Sequence, residues 1–166
     1  MFYTDTQRAP KSMKVLFYVV MAVVVLVPTA IHVMLLVSGE DSGGPLWPVL
    51  LVTVSVPLLL SLLFGRSTLT VGIDDDGVSV RFRPFHRRPR RFAWDEIERI
   101  AVRKVSPLGE FGGWGIRYGW GRKTGYVWNG VEGVALSLRN GRTIVITVKN
   151  GEAVRAAFRE AGHPAA

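Results

Sequence analysis

The chain has no cysteine at all. This excludes a disulfide scaffold, Cys-ligated zinc, an iron–sulfur centre and a catalytic thiol, and leaves the redox compartment open. Histidine is nearly as scarce. His32, His86 and His163 are the three present, and their scatter gives no metal-ligand spacing. Acidic residues are outnumbered, with 13 Asp and Glu against 21 Lys and Arg over 166 residues, for a formal charge of +8. Other catalytic signatures are missing too. No Gly-x-Ser-x-Gly elbow occurs. Arg122-Lys123-Thr124 approaches a phosphate-binding loop, but Arg122 stands where glycine is required and no helix pattern follows. The glycines at 109, 112, 113 and 115 open no helix and sit in no βαβ unit. Asp74-Asp75-Asp76 lacks the rest of a calcium loop and reads as a solvated turn. The expectation is a protein with no catalytic residues, no metal and no cofactor, hence not an enzyme.

Charge is absent from two long stretches. Mean hydropathy is +0.24 despite the many charges, so the apolar residues are segregated. Val15 to Val37 gives 23 uncharged residues and Leu46 to Phe64 gives 19. As helices these reach roughly 35 Å and 29 Å, against a hydrocarbon core of about 30 Å. Neither has the polar stripe of a soluble core helix. Pro28 and Pro57 fall inside them and predict kinks rather than breaks. Trp47 sits at one end of the second, where an amphipathic ring suits the headgroup region. The first stretch is too long for a signal peptide, and a second follows at once. The connection 38–45 contains Glu40 and Asp41 and no Lys or Arg, whereas Arg8, Lys11, Lys14 and Arg66 flank the outer ends. The positive-inside rule then places both termini in the cytoplasm and the short loop outside. His32 is the one titratable residue well inside a span, and it lacks a carboxylate partner in either.

Residues 66–166 read as short strands separated by turn signals. They hold 18 Lys and Arg against 10 Asp and Glu, the full +8, because the N-terminal segment and the outer loop cancel. The strands expected are 68–73, 78–83, 97–105 led in by 92–94, 115–118, 125–128, 134–138 and 143–147. Asp76-Gly77 and Asn140-Gly141 mark hairpin turns, which need positive φ. Val154, Ala157, Phe158 and Ala161 then follow helical spacing, with Asn150 as N-cap and Gly162 and Pro164 as stops. Seven antiparallel strands and one terminal helix result.

Phe92-Ala93-Trp94-Asp95-Glu96-Ile97-Glu98-Arg99-Ile100 resembles the aromatic-x-W-x-x-I-x-x-V approach to the third strand in bacterial pleckstrin-homology-like (PH-like) domains. Phe111-Gly112-Gly113-Trp114-Gly115-Ile116-Arg117 resembles a segment of their actinobacterial members. The resemblance implies an α+β membrane protein, with a two-helix transmembrane hairpin followed by a PH-like seven-stranded antiparallel β-barrel or sandwich and a C-terminal helix. The corresponding division is a cytoplasmic N-terminal segment 1–14, a hairpin 15–64, a cytoplasmic PH-like domain 66–162 and a tail 163–166 in the bacterial inner membrane.

Two basic clusters are the candidate binding residues. One is the loop with Arg87, Arg88, Arg90 and Arg91; the other is the turn with Arg117, Tyr118, Trp120, Arg122 and Lys123, beside Trp114. Mixed cations and amphipathic rings suit an anionic headgroup region. Trp94 and Trp128 are expected in the core, Trp114 and Trp120 at the surface. The expected function is a non-catalytic adaptor or scaffold contacting anionic lipid headgroups, a protein partner, or both. The alternative is a subunit or regulator of a membrane complex, in transport or envelope assembly, whose helices make the main contacts. A homo-oligomer fits either reading, and no nucleic-acid partner is expected.

Overall fold

The computed structural model describes residues 2–39, 46–119 and 121–165. Most of the expected outer loop (40–45) and Trp120 lie outside the described residues. Two compact units emerge, one from Pro10–Arg66, the other from Met1–Ala9 together with Ser67–Ala166.

The helical unit is a pair, α1 (Lys11–Val37) and α2 (Leu46–Gly65), both long and apolar enough to cross a membrane. Helix α1 begins before the charge-free run. Pro10 precedes it in an extended conformation, and Lys11 and Lys14 fall in its first turn. Phe17, near the start of α1, stacks on Phe64, near the end of α2, at 4.2 Å, so the helices run antiparallel. Phe17, Met21, Val25, Thr29 and His32 are half-buried among exposed neighbours and recur every three or four residues. On α2, Thr53, Pro57 and Ser61 repeat with the same period, and Pro57 is buried. Small side chains on such a stripe let helix backbones approach closely.

The second unit is α+β. Its first strand, β1 (Tyr3–Arg8), precedes the helices and pairs antiparallel with β2 (Thr68–Asp74), which follows them. β3 (Gly77–Arg83) and β4 (Arg90–Ala93) complete a sheet of order β1-β2-β3-β4. After a single 3₁₀ turn (Trp94–Glu96), a second sheet forms from β5 (Ile97–Lys104), β6 (Gly115–Gly119), β7 (Lys123–Val127), β8 (Glu132–Leu138) and β9 (Thr143–Val148). Its order is β5-β8-β9-β7-β6, with a short helix α3 (Pro107–Phe111) between β5 and β6. Helix α4 (Gly151–Glu160) ends the domain.

Of the expected barrel or sandwich of seven antiparallel strands, the structure has the sandwich-like form, with nine strands among the described residues in two open sheets, and one pair of them, β7 and β9, is parallel. The extra strands are β1 and β4. Parallel pairing arises because the β7–β8 turn passes over the end of β9, placing β8 and β7 on its two sides. Gly130 permits that crossing: φ is +145°, and a Cβ there would lie 2.4 Å from the Val148 carbonyl oxygen.

Alternating residues of both sheets form the core. Leu69, Val71, Val80 and Phe82 come from the first sheet, and Val134, Leu136, Ile144 and Ile146 from the second, all buried. Val154 and Phe158 of α4 add to them. The other face of the second sheet is covered as well, with Val105, Phe111, Val127 and Val145 forming a separate cluster. Gly125 makes room there, since a Cβ on it would sit 2.5 Å from the Phe111 ring. Burial on both faces explains why β9 is an almost unbroken apolar run. Asn150 caps α4 as expected, its side chain accepting from Ala153 N at 3.0 Å.

Strand β1 is locked in place by one buried polar side chain. Gln7 Nε2 donates to the Thr147 carbonyl at 2.6 Å, and Gln7 Oε1 accepts from Asn129 N at 3.0 Å. Lys149 adds an ion pair to Asp5 at 3.2 Å.

Candidate functional site

The contacts of one strand show how the second sheet lies against the first. In β7 and the turn after it, Tyr126 meets His86 edge-on at 5.7 Å and accepts a hydrogen bond from Arg90 at 3.2 Å. Two residues on, Trp128 meets Phe82 of β3 at 5.0 Å. Next, Asn129 Nδ2 donates to the Arg8 carbonyl at 3.1 Å, at the end of β1. Strand β7 thus traverses the first sheet from the β3–β4 loop to β1 instead of running along it. It crosses where β1 ends, β2 begins and β3 ends, the row Arg8, Thr68 and Arg83 in the ladder. Strand β9 meets β1 further in, at Gln7 and, through Lys149, at Asp5. Strand β6 lies on the other side of β7 from β9, as the free edge.

The edge strand β6 therefore lies beyond β7 from β9, towards the ladder row Arg8, Thr68 and Arg83, and the β3–β4 loop follows Arg83 of that row. Ile116 pairs with Tyr126 and Tyr118 with Thr124, so Ile116 and Tyr118 share the strand face of the tyrosine that touches His86. Tyr118 is 78% exposed and Phe85 is 64% exposed. Phe85 stacks on Phe82 at 5.6 Å, which fixes the loop that carries it. Arg81 fixes the same loop, donating to the carbonyls of His86 and Arg87. His86 Nδ1 accepts from Phe82 N, and burial, reinforced by Arg90, holds its pKa below the usual value.

The sequence-derived candidates divide by what holds them. Arg87 and Arg88 are exposed in the loop and have no ion-pair partner among the described residues. Arg90 and Arg91, expected in that loop, are instead the first residues of β4. Arg91 spans Asp74 at 3.3 Å and Asp76 at 2.6 Å, so the acidic turn is an ion-paired one rather than simply solvated. Arg117 is exposed on β6, and its Nε donates to the Trp114 carbonyl at 2.9 Å. Trp114 is half-buried against the outer cluster of the second sheet, not free at the surface. Lys123 and Arg103 both grip Glu110, Lys123 at 3.0 Å. The hydrogen bond from Arg103, with Lys123 beside it, pulls the Glu110 carboxyl down to about 2. Arg122 is exposed in the β6–β7 turn, where its carbonyl accepts from Thr143 N. Of the tryptophans expected inside, Trp128 is buried. Trp94 is half-buried, stacked on His163 at 4.2 Å and donating to the Asp75 carbonyl.

Three residues here were not among the candidate binding residues, although Arg8 counted towards the positive flank of the first span. Arg8 and Arg83 are exposed and carry no ion pair among the described residues, and Phe85 is the exposed aromatic between them and Arg87. The alternation in Tyr3-Thr4-Asp5-Thr6-Gln7-Arg8 was the available signal for the first strand. Among the described residues no three His, Asp or Glu side chains gather closely enough to hold a metal ion. No protein-family model, no curated protein and no solved structure matches the chain.

Proposed function

We propose that the protein is an integral membrane adaptor of the bacterial inner membrane, with α1 and α2 as spans and the β domain in the cytoplasm. The domain works by binding rather than catalysis, presenting one surface to anionic lipid headgroups and others to a protein partner. The single observation that carries this reading is the register Arg8 to Thr68. The helical pair is inserted between two strands that pair with each other, so both ends of the hairpin lead into one sheet. Such a domain is tethered twice and emerges on one side of the bilayer, in agreement with the positive-inside distribution of Lys and Arg.

The PH-like reading draws support from element order. Setting β6 and β7 aside as an inserted hairpin leaves a four-stranded meander, a three-stranded meander β5-β8-β9 and a C-terminal helix. That order resembles the PH superfold, although strands 115–118 and 125–128, counted among the seven expected, then fall outside it; on this reading the α1–α2 hairpin would occupy the first strand connection.

Membrane fractions extracted with alkaline carbonate should retain the full chain in the pellet. A cytoplasm-only reporter should be active when fused after Ala166 and silent when inserted within 38–45. Release into the supernatant, or the reverse reporter pattern, refutes the reading. Photocrosslinking from exposed β-domain positions should then capture a partner.

One feature favours the alternative, a subunit or regulator whose helices make the main contacts. His32 Nε2 is enclosed with no hydrogen-bond partner among the described residues. A polar atom in an apolar helix interface is a natural point for a third helix to bind. Crosslinks confined to positions around His32, with none from the β domain, would select it.

A further inference from the structure

We infer that the side of the β domain formed by the β3–β4 loop and edge strand β6 is a bilayer-docking surface. On it Phe85 and Tyr118 enter the headgroup region, and Arg8, Arg83, Arg87 and Arg88 meet lipid phosphates. This rests on the reading of α1 and α2 as spans and adds which side of the domain meets the lipid, and through which atoms.

Chain connection is the first argument. Only Ala9 and Pro10 separate Arg8 from Lys11, and only Arg66 and Ser67 separate Gly65 from Thr68. Each link spans at most about 10 Å. This side is therefore tied to within reach of the surface, where attraction to an anionic leaflet acts over a Debye length of about 8 Å.

The second argument is what the side displays. Segments 8–9, 67–68, 83–90 and 115–119 contain six arginines and no Asp or Glu. All six are exposed and none has a carboxylate partner among the described residues, whereas Arg91, Arg103, Lys123 and Lys149 are each committed to an acid elsewhere; Arg90 is held by Tyr126 and Arg117 by the Trp114 carbonyl, which leaves Arg8, Arg83, Arg87 and Arg88 as the guanidinium groups open to a ligand. Two of the large aromatic rings exposed on the β domain, Phe85 and Tyr118, lie on this same side. A phenyl ring held out by stacking on Phe82 and a phenol on a free strand edge have the shape of interfacial anchors, apolar in body with cations alongside.

Absence of native cysteine makes the test clean. Full-length Phe85→Cys, Tyr118→Cys, Val24→Cys and Glu160→Cys proteins, each carrying a bimane label, are reconstituted into vesicles. The vesicles are phosphatidylcholine alone or an equimolar mixture with phosphatidylglycerol, both doped with a nitroxide lipid as quencher. Position 24 reports the span, and 160, in the last turn of α4, reports the far side of the domain. Strong quenching at 24 in both vesicles, quenching at 85 and 118 that rises with phosphatidylglycerol and falls with salt, and little at 160 is the expected result. Adding Arg83→Gln, Arg87→Gln and Arg88→Gln to the Phe85→Cys protein should lower the docked-to-undocked ratio by about a hundredfold. Quenching at 24 with 85 and 118 no different from 160 overturns the docking surface and leaves the spans standing. No quenching at 24 overturns the spans themselves. A label at 118 shielded from water but untouched by the lipid quencher, with shielding that grows with protein density, overturns the inference in favour of strand addition by a second copy at β6.

Discussion

Arg8 and Thr68 face each other across an antiparallel ladder, although the whole helical unit, Pro10–Arg66, lies between them in sequence. The β domain is thus assembled from both ends of an insertion, and its N-terminal strand is structural rather than a leader into the first helix.

It follows that replacing residues 10–66 by a two-residue Asn-Gly turn should yield a folded, water-soluble domain, because paired strands this close are bridged by such turns. Dispersed amide resonances and a cooperative thermal transition would demonstrate it. Residues 67–166 alone lack the partner that covers β2 and supplies Gln7, and should melt at lower temperature or fail to fold.

Gln7→Ala in that spliced domain should cost about 1–3 kcal/mol, the penalty for stranding buried partners at Thr147 O and Asn129 N. Thr6→Ala, at an exposed position of the same strand, should cost little. Urea midpoints at equal slope provide the comparison. Equal losses for the two would show that Gln7 does not lock β1 to the second sheet.

Gly130→Ala should destabilise by about 1–3 kcal/mol, since it combines positive φ with a clash against the Val148 carbonyl. Gly141→Ala has positive φ but open space around its Cβ, and should cost less. A reversed order in thermal melts would mean that the β7–β8 turn does not cross β9 as closely as described.

Acid should weaken the domain through Glu110. Its carboxyl is depressed from 4.5 to about 2, chiefly by the Arg103 hydrogen bond, so the folded state binds the proton less readily than the unfolded chain. The stabilisation is complete above 4.5 and disappears as pH falls toward about 2. Glu110→Gln should lower stability at neutral pH and flatten its decline in that acid range, as read from urea midpoints against pH. An unchanged acid slope would remove Glu110 from the account.

Much of this architecture was legible locally. The Asp76-Gly77 and Asn140-Gly141 turns lie between β2 and β3 and between β8 and β9, and the Val154, Ala157, Phe158 spacing forms the buried face of α4. Each is a short-range pattern, with positive φ in a tight turn or one apolar face on a helix. Strand β4 was harder to see, because Pro89 and four arginines look like loop, yet Arg90 and Arg91 pair with Val80 and Ser79. The candidate site was half legible. Composition singled out Arg87, Arg88 and Tyr118 but could not separate them from Arg91 and Lys123, which internal carboxylates occupy.

By itself the sequence determined the two charge-free helices, seven of the strands and the terminal helix, because periodicity and turn chemistry act over a few residues. Tertiary structure alone decided that Tyr3–Arg8 belongs to the β domain, that β7 runs parallel to β9, and that Phe85 and Tyr118 stay exposed while Arg91 and Lys123 are taken up by internal carboxylates. Those facts depend on contacts between residues far apart in the chain, whose partners are chosen by packing and hydrogen bonding within and between the two sheets; local alternation in residues 3–8 can mark a strand but not the strand it pairs with.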